Sequence, residues 1–382
     1  MENKKLIITI VCDVHGEETN GQTIAANNLI NYLKEEGHTV RVLCADKAEE
    51  GKEGYYILPV RNFGIFNGYF KKNGVALAKP IEETMKSAIY GADLVHVILP
   101  FKLGRMCAKM AKEAGIPVSS GCHLLADNFS SHFFLNNSYL FNRLVYKHYN
   151  KTYKLCDTLH YVSKKMRDIQ EKFYVPKNGE VISNGVNDRF RNLPENNFEN
   201  LDKINILYTG RYCKEKNQLI LIKAIKHSKY KDKIQLYLAG TGPYKKLLKN
   251  AGKSLPNPPI MKLYSREEMV ALMSDVYIYV HAASAEAEGI ACMEAITAGV
   301  VPIISDSKKT ATKEYALTDK SLFKNNNSKD LANKIDWWIE HPEKRAEYSK
   351  LYREESNNLF DQNTCMKRLS ELLYFTAMER CL

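Results

Sequence analysis

The sequence of 382 residues contains no run of about 18 consecutive apolar residues, so no segment predicts a membrane-spanning helix. The apolar stretch 6–12 near the start is short, ends at Asp13 and is followed by no small-residue cleavage site. We therefore interpret it as a buried strand rather than a signal peptide, and we expect the chain to be cytoplasmic.

Sequence motifs of several metal and nucleotide sites are also missing. The nine cysteines form no Cys-x-x-Cys pair, which makes a zinc ribbon or a thioredoxin-like site improbable. There is neither a His-Glu-x-x-His motif nor a Walker loop. No Asp-x-Asp occurs, which argues against a metal ion clamping a diphosphate. We therefore expect neither a metal site nor a cofactor.

Charge is present in excess and is unevenly distributed. The net charge is +11, and residues 101–190 carry 14 basic and 7 acidic residues, a net of +7. Residues 1–100 carry 11 and 13, a net of −2. A basic middle segment suits an anionic partner such as a nucleotide, a membrane lipid or a nucleic acid. The alternative is a basic face that is merely solvated.

Short apolar runs rich in β-branched residues alternate with helical patterns, such as 23–37 and 103–115. The runs are at 6–13, 39–45, 55–60, 93–99, 117–123, 158–163, 204–210, 234–240, 260–265, 276–283 and 301–307. Continuous apolar strands separated by helices predict an α/β fold of two doubly wound parallel-sheet domains. A polar, Asn-rich linker near 185–203 separates them, and after residue 326 the chain is predicted helical, with a break at His341–Pro342.

The segment 281–305 carries the strongest local signal. A buried strand leads into a short acidic loop, and Gly289 then opens a helix. The backbone N–H groups of Gly289 and Ile290 would suit a phosphate. Glu294 inside the helix can accept two ribose hydroxyls, and Glu286 in the loop can face a sugar. The alternative is an acidic helix N-terminus stabilised by the helix dipole.

Two further loops follow predicted strands of the second half. Arg211 and Lys216 come after a strand and Gly210, where ligands bind in open α/β sheets, and both can neutralise a diphosphate. Gly240 and Gly242 follow the next strand in the sequence AGTGP, and they either admit a ligand to the backbone or make a plain turn.

The first half offers two weaker candidates. Gly21 lies between the first strand and a helix, in a loop that would face a phosphate or a sugar. His123 ends the strand at 117–123, and Asp127 comes just after it. Both are expected to face the same ligand cleft as the loop that contains Gly21. A lone histidine at such a place is equally compatible with a structural role.

Together these residues resemble the retaining GT-B glycosyltransferases of family four (glycosyltransferase group 1). Within that family, they resemble the bacterial diacylglycerol glucosyltransferases. The resemblance covers nearly the whole chain, and its most specific element is Glu-x7-Glu, here Glu286 and Glu294. It implies two Rossmann-like domains facing a cleft: an acceptor-binding domain over 1–190 and a nucleotide-sugar-binding domain over 191–359. A C-terminal helix within 360–382 is expected to cross back to the first domain.

The resemblance also implies roles for the candidate residues. Arg211 and Lys216 would hold the diphosphate, Glu294 the ribose and Glu286 the transferred sugar, whereas His123 matches a cleft histidine. Backbone groups at Gly289, Ile290, Gly240, Gly242 and Gly21 would contact the donor. Three positions depart from the family pattern: Ala287 and Glu288 replace a glycine and an aromatic residue, and Asn20 replaces the first of two glycines.

The resulting functional expectation is transfer of a hexose from a UDP-sugar to a lipid or lipid-linked acceptor in glycolipid biosynthesis, without nucleic acid. UDP-glucose is the favoured donor, and nothing in the sequence separates it from UDP-galactose or UDP-GlcNAc. Alternatives are a capsule or cell-wall polysaccharide transferase, a GT-B epimerase and a non-catalytic membrane-surface binding protein. In the family, the leaving phosphate takes the acceptor's proton, so no protein base is assigned.

Residues 139–155 predict an amphipathic helix on which Arg143, Lys147, Lys151 and Lys154 share a face. Apolar and aromatic surface beside or opposite them would come from Tyr139, Leu140, Leu144, Tyr146 and Tyr153. The loop at 62–72 adds Phe66 and Tyr69. Both segments fit peripheral association with the inner face of an anionic membrane. The alternative is a helix that packs on the sheet and only solvates its lysines.

Overall fold

The computed structural model describes residues 4–13, 21–64, 67, 77–131, 138–176, 178–191, 193–194, 198 and 202–378. The chain forms two compact units. The first runs to Asn184 and is completed by the C-terminal segment from Asn363, and the second comprises Gly185–Gln362. These limits lie a few residues from the sequence-based boundaries at 190 and 359.

The first unit contains a parallel sheet of seven strands in the order β3-β2-β1-β4-β5-β6-β7. The strands are β1 (Ile7–Val11), β2 (Thr39–Cys44), β3 (Tyr55–Ile57), β4 (Leu94–Val97), β5 (Val118–Cys122), β6 (Thr158–Tyr161) and β7 (Asn178–Val181). In the register, Ile10 is opposite Val42 on one side and His96 on the other. The central strands are buried along their whole length, as continuous apolar runs predict.

Helices connect these strands. They are α1 (Gly21–Glu35), α2 (Glu82–Ile89), α3 (Lys102–Glu113), α4 (Ala126–Ser131), α5 (Tyr139–Tyr153) and α6 (Lys164–Gln170), with a 3-10 turn at Lys47–Glu49. Helix α5 begins where Ser138 caps it, since the serine hydroxyl accepts from the Phe141 amide at 3.3 Å.

The second unit contains a parallel sheet of six strands in the order β10-β9-β8-β11-β12-β13. The strands are β8 (Ile204–Thr209), β9 (Ile234–Ala239), β10 (Ile260–Lys262), β11 (Ile278–His281), β12 (Pro302–Ser305) and β13 (Leu322–Phe323). The strand order reverses between β8 and β11. Connections therefore diverge there, and a crevice opens at the carboxyl ends of these two strands.

The helices of this unit and the C-terminal helix are α7 (Gln218–His227), α8 (Lys245–Gly252), α9 (Arg266–Met273), α10 (Ile290–Thr297), α11 (Ser328–Glu340), α12 (Pro342–Leu359) and α13 (Gln362–Met378). Short 3-10 turns lie at Asp188–Phe190, Thr312–Tyr315 and Asp319–Ser321. Helix α13 buries Met366, Leu369 and Leu373 in the same apolar core as Ile8 of β1 and Leu29 of α1. The end of the chain thus belongs to the first unit.

The structure confirms the α/β prediction and all eleven predicted strands, each within a few residues. Strands β7 and β13 were not predicted. β7 reads Asn-Gly-Glu-Val and has one apolar residue, and β13 has only two residues. The predicted break is found at His341, between α11 and α12, where Pro342 occupies the first helical position. Among the described residues, no helix is both long and apolar enough to cross a bilayer.

Candidate active site

An ion pair between Lys216 and Glu286 lies at the centre of the candidate site. Lys216 is in the turn after β8, and Glu286 is in the loop after β11, so the two loops leave adjacent strands at the reversal of strand order. The Lys216 ammonium donates a hydrogen bond to Glu286 Oε2. Their side chains are only 22% and 13% exposed. The sequence-predicted cation and loop carboxylate are therefore in direct contact.

Backbone hydrogen bonds hold the Glu286 loop on both sides. Ser284 donates to the Glu215 carbonyl from its amide at 2.7 Å and from its hydroxyl at 3.1 Å. On the other side, the Glu286 amide donates to Lys309 O at 3.1 Å, and the Ala311 amide donates to Glu286 O at 3.0 Å. The loop is thus pinned between the segments that follow β8 and β12, which fixes where the carboxylate points.

The pair is ionised at neutral pH. Burial raises the pKa of the Glu286 carboxyl, but the Lys216 ammonium and the His281 imidazole outweigh burial and lower that pKa to about 2. Burial lowers the pKa of Lys216, and the carboxylate of Glu286 more than offsets this, so the net shift is upward. A buried cation is therefore maintained where the strand order reverses.

His281, the last residue of β11, lies under this pair and is 1% exposed. Its Nε2 is 3.5 Å from Glu286 Oε2, and its Nδ1 is 3.3 Å from the hydroxyl of Tyr279. Its ring stacks on Tyr208, whose hydroxyl donates to the Lys216 carbonyl at 2.6 Å. This histidine is the first residue of the 281–305 segment, and no role was predicted for it, because the sequence of an apolar strand does not show which neighbours a side chain contacts.

Gly289 precedes helix α10 in a conformation that only glycine adopts easily, with φ of +89°. A Cβ atom there would lie 2.2 Å from Cγ2 of Thr312. The Cys292 amide makes an early intrahelical bond, to Gly289 O at 2.8 Å, so the Ile290 and Ala291 amides precede the helical hydrogen-bond ladder. The phosphate contact expected of the Gly289 and Ile290 amides stays a prediction, and the Ala291 amide joins them as a candidate.

Glu294, one turn into α10, is held by a partner that sequence analysis missed. Arg266 Nη1 lies 2.5 Å from Glu294 Oε1, and the carboxylate side chain is 8% exposed. Arg266 is the first residue of α9, whose start is fixed by a capping box between Ser265 and Glu268. In the sequence Arg266 reads as an ordinary surface residue at a helix start, and no local signal distinguishes it.

Arg211 follows Gly210 in the same turn as Lys216, and its carbonyl accepts from the Gln218 side chain at 2.7 Å. A Cβ on Gly210 would lie 3.8 Å from Lys216 Cδ, so the lysine stem runs along this glycine. Arg211 is partly buried. Its contact with a diphosphate stays a prediction.

Gly240 and Gly242 have a packing role that the sequence did not reveal. A Cβ on Gly240 would lie 2.2 Å from Gly210 O, and one on Gly242 would lie 2.6 Å from Tyr212 O. The Tyr212 amide also donates to Thr241 O at 2.9 Å. Both glycines therefore allow the loops after β8 and β9 to touch, and their contact with a donor stays a prediction.

In the first unit, His123 is partly buried and belongs to a cluster with the fully buried His96 and His160. The His123 and His160 rings meet edge to face, with centroids 5.6 Å apart. Gly121 makes room for the cluster, since a Cβ there would lie 2.1 Å from His123 Nε2. Burial, reinforced by the other two histidines, keeps the pKa of His123 well below its usual value, so the imidazole is neutral. Gly21 is the exposed first residue of α1, and Asn20 lies outside the described residues.

The basic face predicted on α5 is exposed, with Arg143, Lys147, Lys151 and Lys154 all in solvent. Tyr139, Leu140 and Leu144 beside them are 70%, 70% and 62% exposed. The expectation that Tyr146 and Tyr153 add to this surface is wrong, because both are buried. The Tyr146 hydroxyl accepts from the Ala126 amide at 3.2 Å, and its ring stacks on Phe173. Phe66 and Tyr69 lie outside the described residues.

No group of three His, Cys, Asp or Glu side chains within the described part of the chain has the geometry of a metal site.

Comparison with known proteins gives matches over both halves of the chain. The model of the family "Glycosyltransferase Family 4" matches residues 19–190, and that of "Glycosyl transferases group 1" matches residues 189–355. α-Monoglucosyldiacylglycerol synthase of Streptococcus pneumoniae is 23% identical over 323 residues, which are 78% of this chain and 70% of that protein.

A solved structure that matches nearly the whole chain shows the same architecture. HepE of Anabaena in complex with UDP and glucose is 14% identical, with a TM-score of 0.72 over 96% of this chain and 99% of that one. The catalytic domain of a cholesterol-α-glucosyltransferase from Helicobacter pylori is 42% identical over 41% of this chain and 98% of that one, with a TM-score of 0.40. The chain therefore belongs to the GT-B glycosyltransferases, with a family 4 first half and a group 1 second half, and is a glycosyltransferase.

Proposed function

We propose that this glycosyltransferase moves glucose from UDP-glucose to a lipid or lipid-linked acceptor with retention of anomeric configuration. The observation that carries the proposal is the Lys216–Glu286 pair beside the start of α10, where the strand order of the second sheet reverses. A cation and the first amides of a helix suit a diphosphate, and the adjacent carboxylate suits the hydroxyls of a sugar.

In this reaction, the bond between C1 of the glucose and the β-phosphate oxygen breaks, and a bond between C1 and the acceptor oxygen forms on the same face. The acceptor's proton passes to the leaving phosphate oxygen, so the products are the glucoside and UDP. Negative charge grows on the diphosphate as the first bond lengthens. Lys216, Arg211 and the amides of Ile290 and Ala291 stabilise that charge where it develops.

Two observations support a lipid acceptor. The relative from Streptococcus pneumoniae is named for a glucosyl diacylglycerol product. Helix α5, in the unit whose resemblance implies acceptor binding, exposes Tyr139, Leu140 and Leu144 next to four basic side chains. An apolar and basic helix face fits the interface of an anionic membrane, and we propose peripheral association there.

We also propose that transfer needs no metal ion, because Lys216, Arg211 and the helix start already offer positive charge to the diphosphate. Activity should persist in EDTA. A reaction that stops in EDTA and returns with Mg²⁺ or Mn²⁺ would contradict this.

The deciding experiment measures UDP release from UDP-glucose, UDP-galactose and UDP-GlcNAc. Each donor is offered with diacylglycerol, with monoglucosyldiacylglycerol, with a lipid-linked saccharide, or with no acceptor. Release that depends on UDP-glucose and a lipid supports the proposal, and the anomeric proton coupling of the product reports retention. The Glu286→Ala variant is the negative control. Activity only with a lipid-linked saccharide would narrow the acceptor to lipid-linked glycans, as used in polysaccharide assembly, and acceptor-independent conversion of the UDP-sugar would indicate an epimerase.

A further inference from the structure

The buried imidazole of His281 has one ring nitrogen directed at the reactive pair. Its Nε2 carries no hydrogen bond of good geometry within the described residues, and it faces Glu286 Oε2 at 3.5 Å. A buried polar nitrogen without a partner costs free energy, about 1–3 kcal/mol for an unsatisfied donor. The carboxylate of Glu286 is the group that can satisfy it after a small adjustment.

The other ring nitrogen decides which tautomer is present. The Tyr279 hydroxyl lies 3.3 Å from Nδ1. Burial raises the pKa of this phenol well above its usual value and lowers the pKa of His281, so the phenol keeps its proton and the imidazole carries only one. When Tyr279 donates to Nδ1, the single imidazole proton is on Nε2. The opposite tautomer would place a lone pair against the Glu286 carboxylate.

We propose that His281 is a positioning residue for Glu286. With its Nε2–H and the Lys216 ammonium both on Oε2, rotation of the carboxylate is restricted, and Oε1 is left to contact the transferred sugar. The same ring also lies under the start of α10, since a Cβ on Gly289 would be 3.7 Å from Nε2. This role rests on the function proposed above, in which Glu286 faces the sugar.

Four variants separate positioning from simple packing. His281→Leu removes the donor, His281→Gln keeps an N–H donor near the Nε2 position, and Tyr279→Phe removes the group that sets the tautomer. Tyr277→Phe is the matched control, because this buried hydroxyl on the same segment donates to the Trp338 carbonyl at 3.3 Å instead.

We expect His281→Leu to lower kcat by about 10²-fold, as for a misplaced reacting group, with donor KM changed little. His281→Gln should recover most of kcat, Tyr279→Phe should lie between them, and Tyr277→Phe should match the wild type. Melting temperatures show whether each variant folds. A folded Leu variant with kcat within twofold of wild type overturns the proposal, as does a folded Gln variant no better than Leu.

A second measurement does not depend on the donor or on activity. With ¹⁵N-labelled histidine and no substrate, NMR should show His281 as the Nε2–H tautomer, its signal identified by its loss in His281→Gln. Tyr279→Phe should shift it toward a mixture, and Tyr277→Phe should not. Finding the Nδ1–H form in the wild type overturns the proposal. Finding the Nε2–H form leaves it standing even if no UDP-sugar is turned over, and the missing turnover would then count against the proposed function alone.

Discussion

The ammonium of Lys216 donates to the carboxylate of Glu286, seventy positions further along the chain. The pair joins two loops that leave adjacent parallel strands, and it is largely buried. Removing one partner leaves the other charge buried without compensation, which is more costly than exchanging both for apolar groups. Stability therefore depends on this contact, and the proposed donor chemistry uses the same two side chains.

The first prediction concerns that pair. Lys216→Ala and Glu286→Ala should each lower transfer by about 10²–10³-fold at saturating donor, because charge stabilisation at the diphosphate or orientation of the sugar is lost. Each should also cost about 1–3 kcal/mol in the free energy of unfolding. The double variant Lys216→Ala with Glu286→Ala should lose less stability than the sum of the two single changes. UDP release and urea denaturation provide the measurements, and wild-type turnover by Lys216→Ala would refute the phosphate assignment.

The second prediction concerns the glycine before α10. Gly289→Ala should destabilise the protein and abolish transfer, because its Cβ would lie 2.2 Å from Thr312 Cγ2 at a φ of +89°. Adding Thr312→Ser removes that methyl and should restore part of the stability. Gly91→Ala is the matched control: it also has positive φ, +76°, but has no neighbour within 4 Å, so it should cost only about 1 kcal/mol. Equal losses in thermal denaturation for Gly289→Ala and Gly91→Ala would contradict the steric argument.

The third prediction assigns Arg266 an effect on donor binding. Arg266→Met removes a cation that pairs with Glu294, so donor KM should rise about tenfold with little change in kcat, the signature of lost uniform binding. Lys262→Met is the control, since its exposed pair with Glu268 lies on the same helix start and should leave both constants unchanged. A kcat effect without a KM effect for Arg266→Met would argue against donor positioning.

The fourth prediction tests the membrane surface on α5. Changing Arg143, Lys147, Lys151 and Lys154 together to Glu should abolish sedimentation with anionic liposomes at low salt. At ~1 kcal/mol for each basic residue near the membrane, the loss is several kcal/mol. In the matched control, four exposed lysines of the other unit are changed together to Glu. They lie in α8 and just after it, at Lys245, Lys246, Lys249 and Lys253. Equal binding by both variants, or no binding by the wild type, would indicate that the basic face of α5 contacts only solvent.

The fifth prediction follows from the three clustered histidines of the first unit, of which His96 and His160 are fully buried. Burial lowers the pKa of His96 to about 3 and that of His160 to about 4, and it takes the pKa of His123 well below its usual value. Depressed folded-state pKa values mean that the unfolded chain binds more protons. This stability is therefore present above pH ~6.5 and lost as the pH falls from there toward 4.

Each histidine should contribute a slope of about 1.4 kcal/mol per pH unit within that window. His160→Gln should reduce the slope of the free energy of unfolding against pH by about 1.4 kcal/mol per pH unit, the contribution of one histidine. Urea denaturation between pH 4.5 and 7.5 measures this slope. His227→Gln, outside the cluster and on the exposed end of α7, is the control. An unchanged slope in His160→Gln would contradict the buried, neutral state of this ring.

The sequence alone determined the elements and the chemistry of the candidate residues. Continuous apolar runs predicted eleven buried strands, since a strand covered on both faces must be apolar throughout. The spacing of Glu286 and Glu294 around Gly289 placed one carboxylate before a helix and the other within it, because 3.6 residues make a turn of any α-helix. Those inferences depend on the local geometry of strands and helices, which a short stretch of sequence determines.

Only the tertiary structure decided which side chains meet. Arg266 and Glu294, 28 positions apart, pair because α9 and α10 start close together, and nothing local in either helix requires it. The His281 ring stacks on Tyr208 because β8 and β11 are neighbours in the sheet. Tyr146 and Tyr153 do not contribute to the expected membrane face, because both side chains are buried in the first unit. Contacts between distant segments depend on how whole elements pack. The spacing of apolar residues predicts that a side chain is buried, but it does not predict which other side chain it contacts.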